Sequence, residues 1–129
     1  MKPLLFIVRS TDGVSLGISV YPHSASGPQT ADDIEQEFWR VLLRLYQFVQ
    51  LQDKVSVLSR LTFEVSGFPA AGRDYLAPGF QDIQHTYYTR IIYVVSGDRV
   101  YQFVFTSTYA GGLLDPELDQ IIASVQISP

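Results

Sequence analysis

The clearest pattern of apolar positions is a pair of long β-type segments, residues 85–95 and 99–109, joined by a short polar turn. Gly97-Asp98 suits a two-residue type II′ turn, because glycine readily adopts the positive φ that the first turn position requires. This turn predicts six cross-strand pairs: Val95–Val100, Val94–Tyr101, Tyr93–Gln102, Ile92–Phe103, Ile91–Val104 and Arg90–Phe105. Both faces of the hairpin are largely apolar, so we expect helices to cover the sheet on each side.

One long helix is predicted to begin after Thr30, whose hydroxyl can cap the first turn, and to end between residues 48 and 53. Its apolar positions form two neighbouring stripes. The first stripe, which we assign to the sheet, contains Ile34, Phe38, Leu42, Leu45 and Val49. The second stripe contains Trp39, Leu43 and Tyr46. The polar side of the helix is marked by Glu35, Gln36 and Arg40.

Two shorter β-type regions flank this helix. Residues 4–9 and 14–21 are expected to form a hairpin around Asp12-Gly13, a dipeptide that favours tight turns. Residues 55–66 are rich in β-forming residues. Their apolar positions of one parity are expected to share a sheet face: Val55, Val57, Leu61, Phe63 and Val65.

A further short strand and a second helix complete the pattern. Residues 70–76 continue as a short strand, and Asp115 caps a helix with Pro116 at its first position. The apolar side of this helix consists of Leu118, Ile121, Ile122 and Val125. The whole pattern predicts a single α+β domain, residues 1–129, in which helices cover an antiparallel sheet as an α/β/α sandwich.

Composition narrows the class of protein and its partners. The chain has 129 residues, 47% hydrophobic and 17% charged, which is typical of a soluble globular domain. A net charge of −4 offers no basic surface for nucleic acid, so we expect none as a partner. There are no cysteines, and no apolar run is long enough for a membrane span. The cellular location cannot be read from this pattern.

The second half of the chain carries a family resemblance. Residues 88–95, 96–105 and 118–125 form two long strands and a closing helix, and this arrangement resembles the Mog/PsbP-like superfamily. The resemblance covers about residues 14–129. The N-terminal part departs from the family. The extra strand and the Trp-bearing segment that are usual in the family are short or absent in this chain.

The resemblance implies a fold and a broad role. Mog/PsbP-like proteins are α/β/α sandwiches around an antiparallel sheet. They include the extrinsic PsbP proteins of photosystem II, the Ran-binding Mog protein and bacterial domains, some of which act as secretion chaperones. None is a conventional enzyme, so the resemblance implies a binding or assembly module. No residue here matches a Ran contact or a manganese-cluster residue.

Residue chemistry favours the same non-catalytic interpretation. The two histidines, His23 and His85, lack metal-ligand spacing and are interpreted as solvated side chains. The acidic residues of the first helical turns, Asp32, Asp33, Glu35 and Glu37, are explained by the positive helix end. No Gly-x-Ser-x-Gly nucleophile elbow is present. We therefore predict no enzyme, no metal and no cofactor, although a histidine–carboxylate pair beside a cleft would favour catalysis.

The candidate partner-binding residues are aromatic and lie in two places. Tyr87, Arg90 and Tyr101 lie on the aromatic hairpin, either as core residues or as a groove in which Arg90 anchors an acidic or carbonyl group. The alternative for Arg90 is a salt bridge to a local acid. On the long helix, Trp39, Leu43 and Tyr46 either sink into the core or form an exposed patch.

These residues support two binding hypotheses. In the first, a non-catalytic assembly domain docks a protein partner, or a second copy as a homodimer, through the Trp39 stripe or the aromatic sheet face. In the second, the aromatic face and Arg90 bind a small molecule or a peptide.

Overall fold

The computed structural model describes residues 2–9, 14–24, 30–108 and 116–127, with side chains for 15–24, 30–108 and 119–127. Within these ranges the elements are β1 Lys2–Arg9, β2 Val14–Pro22, α1 Ala31–Phe48, β3 Ser56–Val65, β4 Phe68–Pro78, β5 Thr86–Ser96, β6 Arg99–Thr108 and α2 Pro116–Ala123. A 3-10 turn, Gln52–Lys54, links α1 to β3. The predicted turn at residues 10–13 and the cap at Asp115 lie outside the described residues.

The strands form one antiparallel sheet in the order β1-β2-β6-β5-β4-β3. At its centre, β5 and β6 have the predicted register, with Val94 opposite Tyr101 and Val95 opposite Val100. Gly97 adopts a φ of +61°, as the first position of a type II′ turn requires. The predicted α+β class, built on an antiparallel sheet, is therefore confirmed.

Helix α1 begins where the sequence predicts. The Thr30 hydroxyl accepts a hydrogen bond from the backbone N–H of Asp33 at 3.0 Å, which satisfies one of the free donors of the first turn. Asp32 and Asp33 add negative charge near the positive helix end. The residues that α1 buries share one side of the helix and are Ala31, Glu35, Trp39 and Tyr46.

The end of α1 is closed by two backbone hydrogen bonds. The N–H of Gln50 donates to the carbonyl of Gln47 at 3.1 Å, and the N–H of Leu51 donates to the carbonyl of Tyr46 at 2.8 Å. This is the Schellman arrangement, which normally has glycine in the left-handed position after the cap. Here Gln50 occupies that position with a φ of +61°.

Strand β3 contains an irregularity that the sequence pattern does not reveal. The register with β4 shifts between Val57 and Ser59, so Leu58 is an extra residue, as in a β-bulge. Val57 pairs with Tyr75 and shares its sheet face, whereas Phe63 and Val65 contribute to the core on the opposite face. The prediction that Val57 shares a face with Phe63 and Val65 is therefore wrong.

The sheet has an apolar core on each face. On the α1 side the buried cluster consists of Trp39, Tyr46, Tyr75, Ala77, Ile91, Tyr93 and Val100. On the other side it consists of Leu16, Val65, Ala70, Tyr88, Ile92, Val94, Phe103, Phe105 and Ile127. Ile122 of α2 and the following Val125 pack against this second cluster. Alternate residues of β5 and β6 are thus buried on both faces.

Candidate functional site

Trp39 lies in the core between α1 and the sheet, with 9% of its surface exposed. Its ring meets Tyr75 edge to face with the centroids 5.0 Å apart, and the guanidinium carbon of Arg73 lies 4.4 Å from the ring centre. Both contacts are favourable for an aromatic ring, whose face is electron-rich and whose edge is not. Of the two alternatives for this stripe, the structure therefore shows the buried one at Trp39.

The rest of the Trp39 stripe also faces inward. Tyr46 is buried, donates its hydroxyl hydrogen to the carbonyl of Pro78 at 2.6 Å and stacks on Phe80 with the centroids 4.4 Å apart. Burial raises the pKa of the Tyr46 hydroxyl. Leu43 is half-buried and packs against the same core. The stripe thus contributes packing and no exposed patch.

The stripe that we assigned to the sheet lies instead along the flank of α1. Ile34, Phe38 and Leu42 are half-buried at the border of the core, whereas 50% of Leu45 and 44% of Val49 are exposed. The helix face against the core is therefore wider than the first stripe and is centred on the Trp39 stripe. Glu35 lies on the same side of the helix as Trp39 and is buried in a salt bridge with Arg73 of the sheet.

Glu35 is fully buried, which corrects its assignment to the polar side of the helix. Its Oε1 accepts hydrogen bonds from Nε of Arg73 at 2.8 Å and from Nε of Arg60 at 3.0 Å. Arg60 also pairs with Asp32 in the first turn of α1. Oε2 of Glu35 has no partner among the described residues. The ion pairs tie α1 to β3 and β4.

Arg90 is buried in a second group of ion pairs on the opposite face of the sheet. Its Nε and Nη2 contact the two carboxylate oxygens of Asp74 at 2.7 and 3.1 Å, and its Nη1 contacts Asp119 of α2. Burial, with the charge of Asp74 next, raises the pKa of the neighbouring Tyr88 hydroxyl. The salt-bridge alternative thus describes Arg90, which is not available as a ligand anchor in this arrangement.

The loop between β4 and β5 holds a small polar cluster. The Asp82 carboxylate accepts a hydrogen bond from Nδ1 of His85 at 2.8 Å and another from the Tyr87 hydroxyl at 3.0 Å. These bonds, the one from His85 first, hold the pKa of Asp82 below its ordinary value. A histidine–carboxylate pair beside a cleft is the feature that we associated with catalysis, and Asp82 of this pair, though not His85, lines the second groove described below.

Two further predicted residues have structural contacts. Tyr101 is half-buried and packs against the core on the side away from α1. His23 joins the end of β2 to the β5–β6 turn, because its backbone N–H donates to the carbonyl of Asp98 and its Nδ1 to that of Gly97. Among the described residues, no group of three or more His, Asp and Glu side chains could hold a metal ion.

A first open groove lies beside the N-terminal half of α1. It has a volume of about 390 Å³, within the range of small ligand sites. Its walls are mainly aromatic and aliphatic, with Glu37 and His23 as polar members. The lining residues are Tyr21, Pro22, His23, Ser24, Ile34, Glu37, Phe38, Tyr93 and Val100.

The second groove lies beside the C-terminal half of the same helix and has a volume of about 480 Å³. Leu42 and Tyr46 of α1 form one wall, and the β4–β5 loop supplies Phe80 and Asp82. Its sheet residues, including Tyr87, belong to the α1 side, as do Tyr93 and Val100 of the first groove. The two grooves therefore lie on one sheet face, beside successive turns of α1.

Tyr87 is thus the predicted aromatic hairpin residue that reaches a groove. Sequence reasoning missed Tyr21 and Phe38, because Tyr21 only ends a predicted strand and Phe38 was assigned to the core stripe. The burial of Glu35 could have been inferred from its spacing, since it lies one turn before Trp39 and shares its side of the helix. A buried glutamate needs a cationic partner, and Arg73, at an inward position of a strand, provides it.

Sequence comparison identifies no relatives for this chain: no family model matches it, and neither does any curated protein. A solved structure, the Pseudomonas aeruginosa protein PA94, is similar in fold, with a TM-score of 0.63 and 18% identity. The similarity covers 90% of this chain and 74% of PA94, which is described as a protein of unknown function and a candidate regulator. At this identity the likeness concerns the fold alone. Within the described residues, neither helix is long and apolar enough to cross a membrane.

Proposed function

We propose that this chain is a non-catalytic protein-binding domain of the Mog/PsbP-like kind, which takes a segment of a partner protein along the α1 side of its sheet. The observation that carries the proposal is the pair of grooves on one face, beside successive turns of α1. A single domain with an apolar core on each sheet face, contacted by α1 on one side and by Ile122 of α2 on the other, supports the Mog/PsbP-like assignment.

The spacing of the grooves favours an extended segment with two apolar anchors. The helix residues that line them are centred about eight positions apart, which corresponds to about 12 Å along α1. An extended chain covers this distance in about four residues, and side chains at that spacing point to the same side. The partner segment is therefore expected to carry apolar residues at positions i and i+4.

The charge of the grooves favours a basic partner segment. Glu37 lines the first groove and Asp82 lines the second. Glu37 and Asp82 are also about half exposed, so a Lys or Arg of the partner can reach them. Opposite charge at the rim of an interface raises the association rate and sets the orientation of the partner.

The test begins with selection of random peptides by phage display against the whole chain. The enriched peptide is synthesised, and its affinity is measured by calorimetry for Tyr21→Ala in the first groove, Leu42→Ala in the second and Thr62→Ala on the exposed outer strand. We expect both groove variants to weaken binding at least tenfold and Thr62→Ala to leave it unchanged. Binding that neither groove variant affects, or no enriched peptide at all, would overturn the proposal.

The size of the first groove supports a small-molecule site as the alternative. Its volume and its aromatic walls, Tyr21, Phe38 and Tyr93, would suit a flat organic compound. A fragment screen by NMR separates the two functions. Fragments that shift resonances of the first groove only, together with a peptide selection that yields no consensus, would favour the small-molecule site.

A further inference from the structure

The flank of α1 carries an apolar surface that begins at Ile34 and Phe38, in the wall of the first groove, and continues beyond it along the helix. Five residues follow one another at spacings of four, three, four and three, which is the period of a helix-packing seam. We call them the outer seam: Ile34, Phe38, Val41, Leu45 and Phe48. Exposure increases along the seam, from half-buried Ile34 and Phe38 to 46% of Val41, 50% of Leu45 and 87% of Phe48.

Charged residues border this seam in a self-complementary order. Glu37 and Arg44 lie seven residues apart, on the same edge of the seam, and both are exposed. Glu37 pairs with Arg40 one turn away, through a contact between two exposed side chains that contributes little stability. A second copy of the same helix, running in the opposite direction, would bring an arginine opposite each glutamate.

We propose that two copies of this chain associate through their outer seams, with the α1 helices antiparallel and Glu37 of each copy facing Arg44 of the other. A parallel pair would place this edge of each seam against the opposite edge of the other, so Glu37 and Arg44 would not meet. Phe38 of one copy then packs near Val41 of the other, and Ile34 near Leu45. This register covers Val41 and Leu45, which are 46% and 50% exposed in the single chain.

The position of the seam leaves room for this arrangement. Glu35 and Trp39 are buried against the sheet, whereas Val41, Leu45 and Phe48 are exposed, so this part of the helix is open to a second helix. The seam is about 21 Å long, or four helical turns. A contact between two helices of this length is at the small end of stable interfaces, so the dimer is weak and depends on concentration.

The first experiment compares the wild type with Leu45→Glu and Gln47→Glu by analytical ultracentrifugation over a wide range of protein concentration. Both variants add one negative charge to the same exposed turn, but only Leu45 lies in the seam. We expect the wild type and Gln47→Glu to shift from the mass of one chain towards that of two. Leu45→Glu should weaken association at least tenfold, with unchanged circular dichroism.

A charge exchange tests the antiparallel order. Glu37→Arg places two arginines opposite each other and should weaken the dimer, whereas Glu37→Arg combined with Arg44→Glu restores the opposite charges and should recover it. A wild type that stays at the mass of one chain, a dimer that tolerates Leu45→Glu, or a double variant that fails to recover would overturn the proposal. Peptide binding in the grooves is assayed with Tyr21→Ala and Leu42→Ala, so the two proposals can fail separately.

Discussion

Arg90 and Asp74 show how the buried charges of this protein act at the scale of single residues. Both side chains are buried, and each satisfies the other through two hydrogen bonds, while the Ser59 hydroxyl donates a third to Asp74. A charge taken out of water is costly, and only a well-oriented partner offsets that cost. The two charges are therefore compensated as a pair, whereas either charge left alone in the core is destabilising.

Removal of one member should consequently cost more than removal of both. We expect Arg90→Met to lower the free energy of unfolding by about 3 to 5 kcal/mol, because the Asp74 carboxylate remains buried without its partner. Arg90→Met with Asp74→Leu should recover most of that loss. Urea unfolding followed by the fluorescence of Trp39, the single tryptophan, measures both. A double variant as unstable as the sum of its single variants would contradict this account.

Asp82 gives the β4–β5 loop a dependence on pH. Hydrogen bonds from His85 and Tyr87 hold its pKa below the ordinary value of 3.8, so the folded loop favours the charged carboxylate. The stabilisation is present above that ordinary value and is lost as the pH falls through the lowered pKa. We expect the protection factors of the loop amides, which correct exchange rates for their intrinsic pH dependence, to fall in that acidic range. Asp82→Asn, measured the same way, should show low protection factors at neutral pH and no further fall.

At the scale of elements, the end of α1 contains a correctable defect. Gln50 holds a left-handed conformation in a Schellman motif, a position at which glycine has no steric cost. We expect Gln50→Gly to raise the free energy of unfolding by about 0.5 to 1 kcal/mol, because relief of strain exceeds the added freedom of the unfolded chain. Gln47→Gly, the same change inside the helix, should lower it by about 1 kcal/mol. Equal effects of the two variants in urea unfolding would refute this explanation.

Elements with strong local signals were predicted correctly, and those set by distant contacts were not. The β5–β6 register follows from one glycine turn and from two apolar faces, both readable within 25 residues of sequence. The bulge at Leu58 has no local sequence signal. Its effect is that Val57 and the residues after the bulge alternate out of step and point to opposite faces of the sheet. A sequence read position by position assumes unbroken alternation and therefore assigns Val57 to the wrong face.

The orientation of α1 illustrates the same limit for the candidate site. Both stripes of the helix are apolar, so periodicity alone does not decide which one faces the sheet. The side that is buried includes Glu35, whose partners Arg60 and Arg73 lie 25 and 38 residues further along the chain and give no local signal. As a result, the burial of Trp39 was one of two alternatives, whereas the first groove, which Phe38 lines, was not recognised.

At the scale of the whole molecule, the sheet joins distant parts of the chain. Strand β6 pairs with β5, its neighbour in sequence, and also with β2, where Ser15 lies opposite Thr106. The N-terminal hairpin is thus attached to the sheet through the C-terminal one. Because β5 and β6 contribute side chains to both cores, neither core can be lost without exposing the backs of the same strands.

This sharing of strands predicts that the two cores unfold together. Ile127 is buried in the core away from α1, and its backbone N–H donates to the Ser66 hydroxyl, whereas Trp39 reports on the core beneath α1. Ile127→Ala should lower the free energy of unfolding by about 2 kcal/mol or more through the cavity it leaves. If the cores are one cooperative unit, the midpoints in urea from Trp39 fluorescence and from far-ultraviolet circular dichroism will fall by the same amount.

A fluorescence midpoint that stays at the wild-type value while the dichroism midpoint falls would show that the two faces unfold independently. The α1 side, with its grooves and its outer seam, would then be a separately stable unit.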